Sequence, residues 1–120
     1  MVSRIWITAA VAVVCLGGAS AEAYSQKTFA GIAAFYDKDY SGRTAAGERY
    51  DPSKFTAAHR TLPFGTRLRV TDRQTNRSVV VVVNDRGPFN KGRVLDLSLA
   101  AAKALRMTGR GIIRVTAAVE

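Results

Sequence analysis

The sequence predicts a mainly β protein: a small closed barrel of five or six short strands with one helix. Three observations predict it. Short apolar runs are separated by turn residues, several of those runs alternate apolar with polar positions, and one stretch alone has strong helix-forming composition. Closing the sheet removes the exposed edges that so short a chain cannot otherwise cover.

The chain divides into a secretory signal over 1–23, a short lead-in over 24–29 and one barrel domain over 30–120. Arg4 is the basic start of the signal, Ile5 to Leu16 its apolar core, and Ala19-Ser20-Ala21 or Ala21-Glu22-Ala23 its cleavage site. The apolar core is shorter than the ~20 residues that span a bilayer, so no stable membrane insertion is expected after cleavage. Cys15, the single cysteine, lies inside the signal behind Val14, where a lipidated cysteine would need a small residue, so lipid attachment is not expected. Without cysteine in the mature chain, and with His59 as the single histidine, a disulfide, a thiolate nucleophile and a structural zinc site are all excluded. No metal and no other cofactor is expected.

Ala30 to Tyr36 reads as the first strand, followed by a turn-rich loop from Asp37 to Arg49. Thr66 to Thr71 alternates, with Leu68 and Val70 on one face and Arg67 and Arg69 on the other. Asp72 to Arg77 is a hairpin loop, and the five valines Val79 to Val83 form a buried strand. Asn84-Asp85-Arg86-Gly87-Pro88 should stop that strand where it emerges from the core. Val94-Leu95 is another short strand. Ser98 caps a helix over Ala100 to Leu105, whose buried face is expected to carry Leu97, Ala101, Ala104 and Leu105, with Gly109 ending it. Ile112 to Val119 is the last strand, with Ile113, Val115, Ala117 and Val119 inward against Arg114 and Thr116 outward.

Eighteen Lys and Arg side chains face nine Asp and Glu, a net charge of +9 that loss of the signal leaves unchanged. In an exported protein that charge suits the anionic polymers of the cell envelope. In a cytoplasmic protein the same charge would suggest nucleic acid, but the export signal points to the wall, so nucleic acid is not expected as a partner; the scattered basic residues form no block of about 5–8 and decide little alone. The expected location is the periplasm or cell envelope, and the expected state a monomer.

Asp85 stands out because a rigid strand delivers it and a Gly-Pro turn follows it, which fixes a carboxylate at the barrel rim. Glycosidic cleavage needs such a group: the leaving oxygen must be protonated while positive charge develops on the sugar, and a partly desolvated carboxyl group is tuned for that task. Asp85 or Glu48 could serve. If two carboxylates act with water, a separation of about 5 Å or roughly 6.5–9.5 Å decides between retaining and inverting hydrolysis. The bland readings are a structural ion pair or turn cap for Asp85, a solvated charge for Glu48, a loop lock for His59 and a helix or turn residue for Asp96. Tyr36 and Tyr40 fit a sugar-stacking surface, whereas Phe35 fits the core better. Arg43 and Arg86 have the fork that grips a carboxylate.

Three polar segments carry a resemblance. They are Gly42 to Glu48, Thr56 to Thr66, and Val83 to Phe89 together with Gly92 to Ser98. Together they resemble the rare lipoprotein A family, septal-ring lytic transglycosylases with a double-psi β-barrel domain, over Gly31 to Glu120. The resemblance implies a six-stranded double-psi barrel. It also implies endolytic cleavage of peptidoglycan glycan strands between N-acetylmuramic acid and N-acetylglucosamine, leaving 1,6-anhydro ends. Asp85 would be the catalytic acid and base, with Glu48 and His59 lining the same groove, and Tyr36, Arg43, Thr44, Asn84 and Arg86 would contact the glycan. This chain departs from the family in reading Phe35-Tyr36-Asp37 for the usual Trp-Tyr-Gly, in a loop one residue shorter between Arg43 and Thr44, and in lacking the C-terminal peptidoglycan-binding repeat of many relatives. The rival readings are an expansin-like module that binds or loosens wall glycan without cutting it, and a basic secreted scaffold.

Overall fold

A computed structural model describes residues 27–120, so the signal, its cleavage sites and Cys15 lie outside the described residues. Six strands close into a barrel: β1 (Thr28–Phe35), β2 (Thr56–Ala58), β3 (Arg67–Asp72), β4 (Ser78–Asp85), β5 (Arg93–Leu97) and β6 (Ile113–Val119). The order around the barrel is β1-β5-β2-β4-β3-β6. β1 pairs in parallel with β5 and β2 with β4, while the other pairings are antiparallel. Two parallel pairs interleaved in one closed sheet make the double-psi arrangement.

The alternation read from the sequence places the core. Leu68 and Val70 of β3, Val81 and Val83 of β4, Leu95 and Leu97 of β5, and Val115 of β6 are fully buried, while Arg67, Arg69, Arg114 and Thr116 face solvent. The valine strand is less uniformly buried than its composition suggests. Val80 and Val82 are half-buried, because a barrel strand has one face inside and one outside, and Val79 at the start of the strand packs only partly against the core. The strand also runs further than expected, keeping Asn84 and Asp85 in its ladder.

β2 is the element that composition did not reveal. Thr56-Ala57-Ala58 is too short for any periodicity, yet it joins the two halves of the barrel, with Ala57 opposite both Val83 and Leu97 in the core. The helix α1 (Leu99–Ala104) starts where predicted: the Ser98 Oγ accepts the Ala101 N–H at 3.3 Å and the Thr56 N–H at 3.2 Å. It buries Ala101 and Ala102, followed by Leu105, rather than Ala104. It also ends well before Gly109, since Arg106 already takes a positive φ of 54° and the chain turns to bury Met107. No helix among the described residues is long and apolar enough to cross a membrane.

Candidate active site

A β-bulge builds the centre of the site. Ala57 pairs with Val83, but the next residue, Ala58, pairs with Asp85, so Asn84 and Asp85 together oppose one residue of β2. A bulge re-aims the side chains beside it. Here the half-buried Asp85 reaches Tyr36 and Ala45, while the buried Asn84 side chain reaches Glu48. Ala58 also pairs with Asp96 on its other side, so Asp85 and Asp96 flank the same small residue on the outer face of the barrel.

Three donors hold the Asp85 carboxylate. Its Oδ1 accepts the Ala45 N–H at 2.8 Å and the Arg86 N–H at 2.9 Å, and its Oδ2 accepts a very short hydrogen bond from the Tyr36 hydroxyl. Burial, then the Asp85 hydrogen bond and the negative charges of Asp85 and Asp96, push the Tyr36 phenol far above its ordinary range. Tyr36 therefore stays a donor.

The loop from Gly42 to Tyr50 brings Glu48 to the same place. The Ala46 N–H donates to the Asn84 carbonyl at 3.1 Å, the Thr44 N–H to the Glu48 carbonyl at 2.7 Å, and the Gly47 N–H to the Thr44 carbonyl at 2.9 Å. Gly47 has φ 98°, a left-handed conformation that closes this tight turn. Glu48 Oε1 then accepts from Asn84 Nδ2 at 2.7 Å. The loop thus sets Glu48 against Asn84, the residue before Asp85 in β4. The Arg43 guanidinium is exposed and braces the loop at the Gly47 carbonyl, 3.0 Å away. Thr44 is only 5% exposed, and its Oγ1 has no partner among the described residues.

Two residues expected to line the site spend their side chains elsewhere. The His59 main chain does touch it, its N–H donating to the Asp85 carbonyl at 3.1 Å. The His59 ring turns away to pack 5.1 Å from the Phe29 ring, in a separate groove of about 540 Å³ shared with Leu62, Pro63, Val94 and Val119. Its Nδ1 accepts the N–H groups of Thr61 and Leu62, each at 3.1 Å, which leaves Nε2 to carry the proton of the neutral ring. Burial, with the Arg86 and Arg60 charges, holds the His59 pKa below its ordinary value. Arg86 likewise turns its guanidinium to the His59–Leu62 loop. Its guanidinium bonds the Leu62 carbonyl at 2.8 Å and the His59 carbonyl at 3.3 Å, and lies 4.0 Å from the centre of the Phe64 ring. Asn84, by contrast, faces into the site, where its side-chain amide donates to Glu48.

Two contributors escaped the sequence reading. Tyr50, 5% exposed, stacks on Tyr36 at 4.4 Å and meets Tyr40 at 5.4 Å, which makes a three-ring cluster behind the Asp85 donor. Nothing in the sequence marks Tyr50 as a partner of Tyr36, because the pairing exists only in the fold. Arg60 fixes the turn after Asp85 through the carbonyls of Pro88 at 2.7 Å, Asn90 at 2.9 Å and Arg93 at 2.8 Å. Its place beside His59 was the available signal. Phe35 packs against the core, as its strand position suggested. Asp96 sits in β5 and pairs closely with Arg93 instead of capping a helix or turn.

Comparison with known proteins adds the family. Residues 28–117 match the family model described as lytic transglycolase. A protein of Nostoc sp. named as a probable endolytic peptidoglycan transglycosylase RlpA is 57% identical over 91 residues, which cover 73% of this chain and 24% of that protein. The endolytic peptidoglycan transglycosylase RlpA of Pasteurella multocida is 49% identical over 83 residues, covering 68% of this chain and 28% of that one. The chain thus spans about a quarter of the length of these relatives. Among solved structures, the Streptomyces papain inhibitor superposes with a TM-score of 0.62 at 24% identity, covering 77% of this chain and 93% of the inhibitor. The apo form of Clavibacter michiganensis expansin superposes with a TM-score of 0.59 at 27% identity, covering 78% and 50%. The fold alone therefore serves more than one purpose, but the matched sequence is specific, and the chain belongs to the lytic transglycolase family.

Proposed function

We propose that the protein is an endolytic lytic transglycosylase of the cell envelope that cuts peptidoglycan between N-acetylmuramic acid and N-acetylglucosamine and leaves 1,6-anhydromuramyl ends. One observation carries this reading: a carboxylate fixed by three donors at a β-bulge, with a second carboxylate, Glu48, fixed by the adjacent Asn84. Two main-chain donors occupy Asp85 Oδ1 and the Tyr36 hydroxyl alone bonds Oδ2, so Oδ2 is the oxygen with a lone pair left to exchange a proton. Protonated Asp85 gives that proton to the glycosidic oxygen as the C–O bond breaks and positive charge develops at the anomeric carbon. The sugar's own 6-hydroxyl attacks that carbon and its proton returns to Asp85, so no water is consumed and the acid is regenerated. Glu48 supplies the negative charge that favours the cationic transition state. Tyr36 orients Oδ2, and Tyr40, 39% exposed, extends the ring cluster to where a sugar can stack. His59 and Arg86 hold the backbone that carries Asp85.

The test is product analysis. Purified protein is incubated with peptidoglycan, both intact and stripped of its peptides, and the fragments are weighed by mass spectrometry. Anhydromuramyl ends are expected, and Asp85→Asn should lower their rate of formation about 10³-fold. Reducing ends in their place would make the protein a hydrolase. Retained binding with no products from either substrate would leave the expansin-like reading, which the superposition on expansin makes the natural second choice.

A further inference from the structure

The turn that follows Asp85 holds an aromatic ring out in solvent. Phe89 is 79% exposed, against 39–56% for the other exposed large apolar side chains among the described residues. Phe64 lies against the Arg86 guanidinium, whereas Phe89 has no ring or cationic partner among those residues. The base beneath the ring is fixed. Gly87 and Pro88 are buried, and Arg60 holds the carbonyls of Pro88, Asn90 and Arg93 at 2.7, 2.9 and 2.8 Å. A Cβ placed on Gly87 would lie 3.6 Å from the Phe89 ring, so the ring lies over the backbone two residues after Asp85.

Strand directions place that ring relative to the carboxylate. Asp85, Ala58, Asp96 and Ala34 form one row across β4, β2, β5 and β1. Tyr36 lies beyond the row in the direction of β1 and β5, whereas β4 runs the opposite way, so the chain leaving Asp85 departs on the other side. It returns to β5 at Arg93, upstream of Asp96 and still on that side. Tyr36 and its tilted neighbour Tyr40, 5.2 Å away, therefore stand on one side of the row and the Phe89 turn on the other. A sugar chain laid across Asp85 along the strand direction meets an aromatic surface at each end. An uncharged ring of this kind suits the C–H face of a pyranose, and a ring already held in place loses little entropy when a sugar stacks on it.

We propose that Phe89 is a sugar-stacking subsite for the glycan beyond the cleavage point, on the side away from Tyr36 and Tyr40, and that it makes the protein favour long strands over short ones. The proposal rests on the peptidoglycan reading for its ligand, and its test separates binding from cleavage. Peptide-free glycan strands are sorted by length, and kcat and KM are measured for the wild type, Phe89→Ala and Phe89→Trp. Phe89→Ala should raise KM on long strands about tenfold with kcat nearly unchanged, and the effect should fade as the strands shorten. Phe89→Trp should restore the long-strand KM. Trp6, in the signal, is the single tryptophan of the sequence, so Phe89→Trp also puts a fluorescent reporter on the turn, and its emission should shift when long strands are added. A KM unchanged by Phe89→Ala, a loss independent of strand length, or failure of tryptophan to rescue would each overturn the proposal. An emission shift in a protein that forms no anhydro ends would remove the transglycosylase reading and keep the subsite. Anhydro ends with neither an emission shift nor a change in KM would do the reverse, and neither products nor a shift would remove both.

Discussion

Two loops dock on the same end of β4, and they do it differently. The Gly42–Tyr50 loop bonds the Asp85 carboxylate itself and takes the Asn84 amide onto Glu48. The His59–Leu62 loop reaches the Asp85 main chain, the neighbouring Arg86 guanidinium and, through Arg60, the carbonyls of the turn that follows, but not the carboxylate. Both loops belong to the polar segments that mark the family, yet one sets the charge around the carboxylate and the other sets where its backbone lies. Neighbourhood in a motif is therefore a poor guide to role. What separates the two is whether a side chain's polar atoms meet the reacting group or the scaffold beneath it.

Glu48→Gln breaks the comparison on the side with the larger expected effect. Glutamine keeps the carbonyl oxygen that accepts from Asn84, so the loop should hold its shape while the negative charge disappears. Turnover on glycan strands should fall about 10²-fold with little change in melting temperature. A fall of that size accompanied by global destabilisation would instead make Glu48 a structural residue. Tyr36→Phe comes next. It removes the hydroxyl donor on Oδ2 but keeps the ring stacked on Tyr50, and a hydrogen bond to a charged group is worth about 1.5–3 kcal/mol, or roughly ten- to a hundredfold in rate. Unchanged activity in Tyr36→Phe would show that two main-chain donors suffice to hold Asp85.

On the other side, His59→Ala and His59→Asn form a matched pair. Asparagine offers an oxygen near the position of Nδ1 and can still accept from Thr61 and Leu62, whereas alanine cannot. Alanine should cost about tenfold in activity, and asparagine should recover most of it. If asparagine is as damaging as alanine, the imidazole itself is needed, and His59 moves from the scaffold to the chemistry. The measurement is kcat/KM for both variants across pH, where a proton-transferring histidine would shift the profile and a loop lock would not.

This difference also explains what could be read from the sequence. Alternation at Leu68/Val70 and Ile113/Val115/Ala117 reports a local period, so those strands and their inward faces were legible. Ser98 as a cap was legible for the same reason, since its partner lies three residues away. The bulge at Asn84, the three-residue β2 and the stack of Tyr50 on Tyr36 depend on partners 14 to 40 residues distant, and no local signal encodes such a partner. The carboxylates could be named as candidates by type and position. Which of their neighbours face the carboxylate and which face the core could not, because one inserted residue in a β ladder redirects the side chains that follow.

The smallest expected effect is also the one that treats the two loops most differently. Neutral His59 is favoured in the folded state, so its folded pKa lies below the ordinary value of about 6.5. The unfolded chain therefore binds more protons than the folded one between those two values, and stability must fall as pH drops through that window and level off below it. Above about pH 6.5 the contribution is fully present. Protonating Nδ1 would strip Thr61 and Leu62 of their acceptor, while the Ala46 N–H keeps the Asn84 carbonyl. Hydrogen exchange between pH 7.5 and 5, corrected for intrinsic rates, should lose protection at Thr61 and Leu62 before Ala46 in the wild type. His59→Asn should show no such selective loss. Equal loss at both loops would mean that acid acts on the barrel end as a whole, and that the two loops are one cooperative unit rather than a chemical wall and its support.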